Sequence, residues 1–134
     1  MSQSNLIETK LQEFLDLHPE IHTAILFGSS LTDSFRKDSD IDIAIACHSP
    51  LSAQDFMNYA SLLTEKFSDR KIDLIDLHQA KGLILLEILT RGKILRRDTI
   101  FLAKSIISMH EYFDFIYPYV RQSRLNLVQD YLNG

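Results

Sequence analysis

The sequence predicts an α/β (α+β) fold: a small mixed β-sheet flanked by helices, with a C-terminal helical tail. Three observations lead there. An apolar run over residues 21–27 stops at Gly28-Ser29. After ten further residues a second run, 40–46, opens with Asp40 and Asp42 in alternation. A third run, 71–77, reads Lys-Ile-Asp-Leu-Ile-Asp-Leu, and apolar residues recur at helical spacing between and around the three.

Each element has its own signal. Residues 5–17 place Ile7, Leu11, Phe14 and Leu15 on one helical face, with Asn5 and Glu8 as a capping box and Pro19 as the stop. Residues 21–27 read as a buried strand, and a short helix or turn follows the glycine over the polar stretch 30–39. Residues 40–46 form the second strand. Ser52 with Asp55 makes another capping box, opening a helix to about residue 67 through Phe56, Tyr59, Ala60 and Leu63. Residues 71–77 form the third strand, and 80–91 a helix ending at Gly92, a C′ glycine. Residues 93–96 add a short strand. Asp98 caps a long helical region carrying Leu102, Ile106, Met109, Phe113 and Ile116 at helical spacing. Pro118 is expected to break or kink it, because an interior proline costs about 3 kcal/mol, leaving a last helix over 119–132. The organisation is one domain overall, with a core over 1–97 and a helical extension over 98–134 that packs on it and offers a partner surface.

Bulk composition narrows the function classes. The chain has 134 residues, 46% of them hydrophobic, enough for one ordinary core. A net charge of −4 supplies no global basic field for nucleic acid or anionic membrane, so direct nucleic-acid binding is not expected. Arg91, Lys93, Arg96 and Arg97 could still form a local basic patch. A single cysteine, Cys47, excludes an internal disulfide and suits a reducing compartment; a buried small hydrophobe is its simplest role. No run approaches the roughly 18 apolar residues of a membrane span, and no charged-then-apolar leader opens the chain. The expectation is a soluble cytoplasmic protein.

The chemistry concentrates where the first two strands meet. Aspartate is depleted in strands, yet Asp40 and Asp42 share one face, about 6.6 Å apart. At an effective dielectric near 20 such charges repel by about 2–3 kcal/mol, which a bound cation relieves. Two carboxylates on one face can bridge Mg²⁺, which keeps substrate phosphates as co-ligands. Gly28 lets the backbone approach a ligand closely, and Ser29 adds a hydroxyl donor for a phosphate oxygen. Taken alone, Gly-Ser is also a common turn, and two aspartates also suit a solvated strand end. Asp73 supplies a third carboxylate at the start of another strand. Asp76, on the opposite face of that strand, fits a polar or turn role near its end. The five histidines, at 18, 22, 48, 78 and 110, show no metal-ligand spacing and read as isolated surface or capping residues.

Gly28-Ser29, ten residues, then Asp40-Ile41-Asp42, with Asp73 following, resembles the minimal nucleotidyltransferases (MNT) of the DNA polymerase β superfamily. Ser39 before the first aspartate, Arg36 between the motifs, and Ile88-Leu-Thr-Arg-Gly-Lys-Ile-Leu95 are similar as well. The resemblance covers residues 21–97. It implies a polymerase β-like nucleotidyltransferase fold in which Asp40, Asp42 and Asp73 bind Mg²⁺ and form the catalytic carboxylates. Gly28, Ser29, Ser39 and Arg36 would hold the nucleotide. Thr32-Asp33 departs from the basic residue and glycine of many relatives and sets a negative charge near the phosphate turn, with Arg36 and Lys37 available to offset it.

With seven aromatic residues in 99–134, the chain also resembles the MNT antitoxins paired with HEPN-type ribonuclease toxins. It lacks an Arg-x4–6-His ribonuclease motif, which places it on the antitoxin side. The resemblance implies transfer of AMP from ATP to a tyrosine hydroxyl of a cognate HEPN-type toxin, within a hetero-oligomer. Two other readings remain: an antitoxin that inhibits by binding alone, and a nucleotidyltransferase acting on a small molecule.

Overall fold

The computed structural model describes residues 3–28 and 40–133. In chain order these form α1 (Gln3–Asp16), β1 (Thr23–Phe27), β2 (Ile41–Ala46), α2 (Ala53–Lys66), β3 (Ile72–Asp76), α3 (Gly82–Arg91), β4 (Lys93–Arg96) and α4 (Thr99–Asn133). The sheet order is β3-β2-β1-β4. β1 is antiparallel to both β2 and β4, while β2 and β3 run parallel, joined by α2 as a crossover. The sheet is mixed, as the sequence predicts.

Strand alternation divides the core into two clusters. On one face Ala24, Leu26, Ile41, Ile43, Ile45 and Leu74 pack against Leu11, Phe14 and Leu15 of α1 and Leu63 of α2. On the other, Ile25, Phe27, Ala44 and Ala46 pack against Leu85 and Ile88 of α3 and Met109 of α4. β1 and β2 are therefore covered on both sides, which explains why β1 reads as a continuous apolar run instead of alternating.

Several local expectations hold. Ser52 is the N-cap of α2, its Oγ accepting from Asp55 N at 3.1 Å. The Asp98 carboxylate accepts from Phe101 N at 2.9 Å and starts α4. Asp76, 5% exposed, accepts from Leu51 N at 2.8 Å and His78 N at 3.0 Å, the polar turn role expected of it.

Others are corrected. α1 begins at Gln3, so Asn5 lies inside the helix, its carbonyl accepting from Thr9 Oγ1. The Asn5–Glu8 capping box does not form, and Glu8 instead takes Lys93 Nζ at 2.7 and 2.8 Å. Gly92 is no left-handed C′ residue: its φ is −73°. Glycine is needed there because a Cβ would run into Ile25 of β1 and the Ile88 carbonyl. The predicted basic patch is half taken up internally, since Arg96 donates to the His18 and Ile21 carbonyls at 3.1 and 3.0 Å and Lys93 holds Glu8.

α4 is a single helix of 35 residues with Pro118 inside it, not two helices separated at the proline. Pro118 removes one amide donor to the carbonyl of Asp114. Both residues are exposed there, so water can meet that carbonyl and the helix continues. Core packing is confined to the first half of α4, through Phe101, Leu102, Met109 and Phe113. From Tyr117 to Asn133 every residue is exposed.

Because Asp76 satisfies two backbone amides at the β3 end, Asp76→Ala is expected to lower unfolding free energy by about 3 kcal/mol, read from the urea midpoint at constant m-value.

Candidate functional site

The site lies where β1 ends and β2 and β3 begin. Register sets it: Phe27 at the end of β1 pairs with Asp42 of β2, and Asp42 pairs with Asp73 of β3. Paired positions in adjacent strands share a face, so Asp42 and Asp73 both project on the α3/α4 side. The next residues along that face of β2 are Ala44 and Ala46, buried beneath α3 and α4. The aspartates thus stand at the open edge of an otherwise apolar surface.

Gly28 closes β1 with φ +78°, a left-handed conformation that L side chains rarely adopt. A second constraint acts at the same position. A Cβ on Gly28 would collide with Oδ2 of Asp42 and lie 3.0 Å from its Cγ. The Asp42 carboxylate occupies the space a side chain at position 28 would need. The glycine therefore does what the sequence reading asked, allowing close approach, but its observed neighbour is the aspartate.

The carboxylates perturb each other. Asp42 is pushed up from 3.8 to about 6, first by burial, then by hydrogen bonding to Asp73 and by the charges of Asp73, Asp40 and Glu87. A hydrogen bond between two carboxyl groups exists only while one carries a proton. Asp40 sits just before β2, half-buried, not within the strand as expected. Lys71 Nζ lies 3.8 Å from Asp73 Oδ1, an exposed pair of little energetic weight.

The structure thus brings Gly28, Asp42 and Asp73 together, with Asp40 close enough for its charge to bear on Asp42. Among the described residues no three His, Cys, Asp or Glu side chains are gathered as metal ligands. The donor set nevertheless suits a hard cation: carboxylate oxygens only, two in mutual contact, with a repulsion that a divalent ion relieves. Ser29, Arg36 and Ser39, expected at the nucleotide, lie outside the described residues, as do Thr32, Asp33 and Lys37. The sequence reading passed over Lys71 and Glu87. Lys71 was findable, two residues before Asp73 and on its face of the strand. Glu87 was not, because only the packing of α3 on the sheet brings it near.

The histidines are also redistributed. His22, His48 and His78 are not isolated but meet at the far end of the sheet. His22 and His78 both donate from Nε2 to the Cys47 carbonyl, at 2.8 and 2.6 Å. Cys47 is half-buried, and burial pushes its thiol up, in keeping with a small packing residue.

Two outcomes follow from the Gly28–Asp42–Asp73 contact. A folded-state value raised to about 6 means the native protein holds the Asp42 proton more tightly than the unfolded chain does. The resulting stability is complete below about 3.8 and lost as pH rises through about 6. In EDTA, the urea midpoint is expected to fall across that window, and Asp42→Asn to flatten the fall; an unchanged slope would assign it to other groups. Gly28→Ala is expected to lower stability by roughly 1–2 kcal/mol and to move the Asp42 carboxyl carbon resonance, both measurable on metal-free protein.

Comparison with known proteins gives the chain a family. The family model for "Polymerase beta, Nucleotidyltransferase" matches residues 9–99. The protein adenylyltransferase MntA of Shewanella oneidensis is 32% identical over 120 residues, spanning 84% of this chain and 81% of that protein. A solved toxin–antitoxin structure with AMP-PNP superposes with a TM-score of 0.68 at 25% identity, covering 93% of this chain and 98% of the other. The MNT antitoxin in complex with tri-AMPylated Shewanella oneidensis HEPN toxin gives a TM-score of 0.61 at 25% identity, covering 97% and 99%. With the family model matching about two thirds of its length and a relative 32% identical over most of it, the chain belongs to the polymerase β nucleotidyltransferase family, as a minimal nucleotidyltransferase of the MNT antitoxin type.

Proposed function

We propose that the chain transfers AMP from ATP to a tyrosine hydroxyl of a cognate HEPN-type toxin, in a magnesium-dependent reaction that neutralises the toxin. The observation that carries the reading is the contact between Asp42 and Asp73, with the Asp42 carboxylate set against the side-chain-free backbone at Gly28. The relatives support the choice of nucleotide and acceptor: one is a protein adenylyltransferase, one is a toxin–antitoxin pair with AMP-PNP, and one includes a tri-AMPylated toxin.

The reaction joins the acceptor oxygen to the α-phosphorus and breaks the bond to the β-phosphate, releasing pyrophosphate. Positioning and charge neutralisation dominate such an in-line displacement. Asp40, Asp42 and Asp73 are the residues that would hold Mg²⁺, which when bound neutralises phosphate charge and acidifies the acceptor hydroxyl. Gly28, with no side chain of its own, would let the Asp42 carboxylate and the triphosphate share the end of β1. Asp73, on the edge strand, would take the acceptor proton. Ser29, Ser39 and Arg36 complete the nucleotide contacts in this reading.

The exposed second half of α4 supports a protein acceptor. Phe115, Tyr119, Leu127 and Tyr131 are 72, 68, 71 and 86% exposed, a surplus that a helix packed only on its own core does not carry. We assign this segment to the toxin interface.

Intact-mass spectrometry of the partner after incubation with ATP and Mg²⁺ tests the proposal. Adenylate increments are expected with the wild-type chain and a loss of about 10²–10³-fold in rate with Asp42→Asn. A partner that gains no mass yet is still inhibited would instead establish inhibition by binding alone.

A further inference from the structure

A second feature stands at the end of the sheet opposite the carboxylates. Asp42, near the start of β2, and Cys47, just past its end, are about 16 Å apart along the strand direction. At the far end, a cavity of about 410 Å³ opens between the start of α3, the first turns of α4 and the segments that follow β2 and β3. Its apolar side is formed by Leu77, Leu85, Ile100 and Phe101. Its polar side carries His48, His78, Lys81, Lys104, Ser105 and Ser108.

The charges there are one-sided. Among the described residues neither Lys81 nor Lys104 has an ion-pair partner. The one carboxylate in the lining, Asp98, accepts from Phe101 N as the cap of α4. The imidazoles are ordered: His78 donates to the Cys47 carbonyl at 2.6 Å, and Phe101 stacks edge-on against His22 and His78 at 5.0 and 4.9 Å. His48 meets the ring of His22 at 5.5 Å and makes no hydrogen bond among the described residues. In a chain of net charge −4, two ammoniums without ion-pair partners among the described residues outweigh the single carboxylate of Asp98 around this cavity, and His48, His78 and Ser108 add hydrogen-bonding groups for an anion.

We infer that this cavity binds a phosphorylated small molecule of nucleotide size, at a site separate from the catalytic carboxylates. The volume lies in the range of small-molecule sites, which combine apolar walls with a few polar groups. Lys81 on one wall and Lys104 on the other flank an anion, with His48 and Ser108 as further donors. Leu77, Leu85 and Phe101 offer an apolar surface to a base or similar ring. A multiply charged phosphate satisfies both lysines at once, which a neutral ligand of the same size does not.

The test uses the full chain in EDTA, so that no divalent ion recruits phosphate to the carboxylate end. His ring and Ile methyl resonances are followed while AMP, ATP, inorganic pyrophosphate or adenosine is added. The phosphorylated compounds are expected to shift His48, His78 and Ile100, and adenosine to leave them in place. Tighter binding of AMP than of pyrophosphate would identify a nucleotide as the source of the phosphate; equal or tighter pyrophosphate binding would identify the inorganic anion. Lys81→Glu with Lys104→Glu is expected to weaken binding at least tenfold, with circular dichroism and Mg²⁺-dependent adenylate transfer unchanged. Absence of any shift at millimolar phosphate compound, or equal binding by the double variant, would overturn the assignment. So would occupation of the cavity by an acidic peptide but by none of the phosphates.

Discussion

The register of β2 is the constraint on which the rest depends. Ile41, Ile43 and Ile45 are fully buried on the α1/α2 face, while Asp42 alternates with them and points to the other. A slip of one residue would drive Asp42 into the α1/α2 layer and force isoleucines into the positions beneath α3 and α4 that Ala44 and Ala46 now fill. Burying each isoleucine stabilises by about 1.5–3 kcal/mol. Two ionised carboxylates about 4 Å apart repel by about 4 kcal/mol at an effective dielectric near 20, less than the roughly 4.5–9 kcal/mol of three such burials. The core therefore wins, and it holds two carboxylates together that would separate on their own. Protonation of Asp42 in the metal-free chain, or a cation between the groups, relieves the remaining repulsion.

The same register gives the sheet two chemically distinct ends. At one end Gly28 makes room for the Asp42 carboxylate, and Asp42 and Asp73 gather negative charge there. At the other the chain enters β1 past His22 and leaves β2 and β3 through His48 and His78, where Lys81 at the start of α3 and Lys104 of α4 line a cavity. α4 links the second end to the exterior: its first half packs on the sheet, and its second half presents exposed aromatic and aliphatic side chains outside both core clusters of the described residues.

How much of this was legible in the sequence varies by element. The strands were, because Gly28 and the Asp-Ile alternations mark where apolar runs stop and start. The cap at Ser52 and the turn role of Asp76 were legible because each interaction spans few residues or ends a strand. The Asn5–Glu8 box was not, because α1 continues upstream and Lys93, eighty-five positions away, takes Glu8. Gly92 carried a true signal for the wrong reason, since the close approach of Ile25 demands a glycine there regardless of φ. Pro118 was misread as a break because the rule assumes that the unpaired carbonyl has no other partner, and exposure supplies water.

The sequence by itself determined the chemistry. Residue type and spacing name the family and single out Gly28, Asp40, Asp42 and Asp73, because glycine and aspartate at strand ends run against what a buried strand selects. Tertiary structure decided what these groups do to one another. Only strand pairing sets Asp42 against Asp73 and over Gly28, and only helix packing adds the charge of Glu87. The histidines show the same limit from the other side: scattered over fifty-six positions from His22 to His78, they meet solely because three strands end together. Long-range proximity is a property of the packed sheet, and a local pattern carries no record of it.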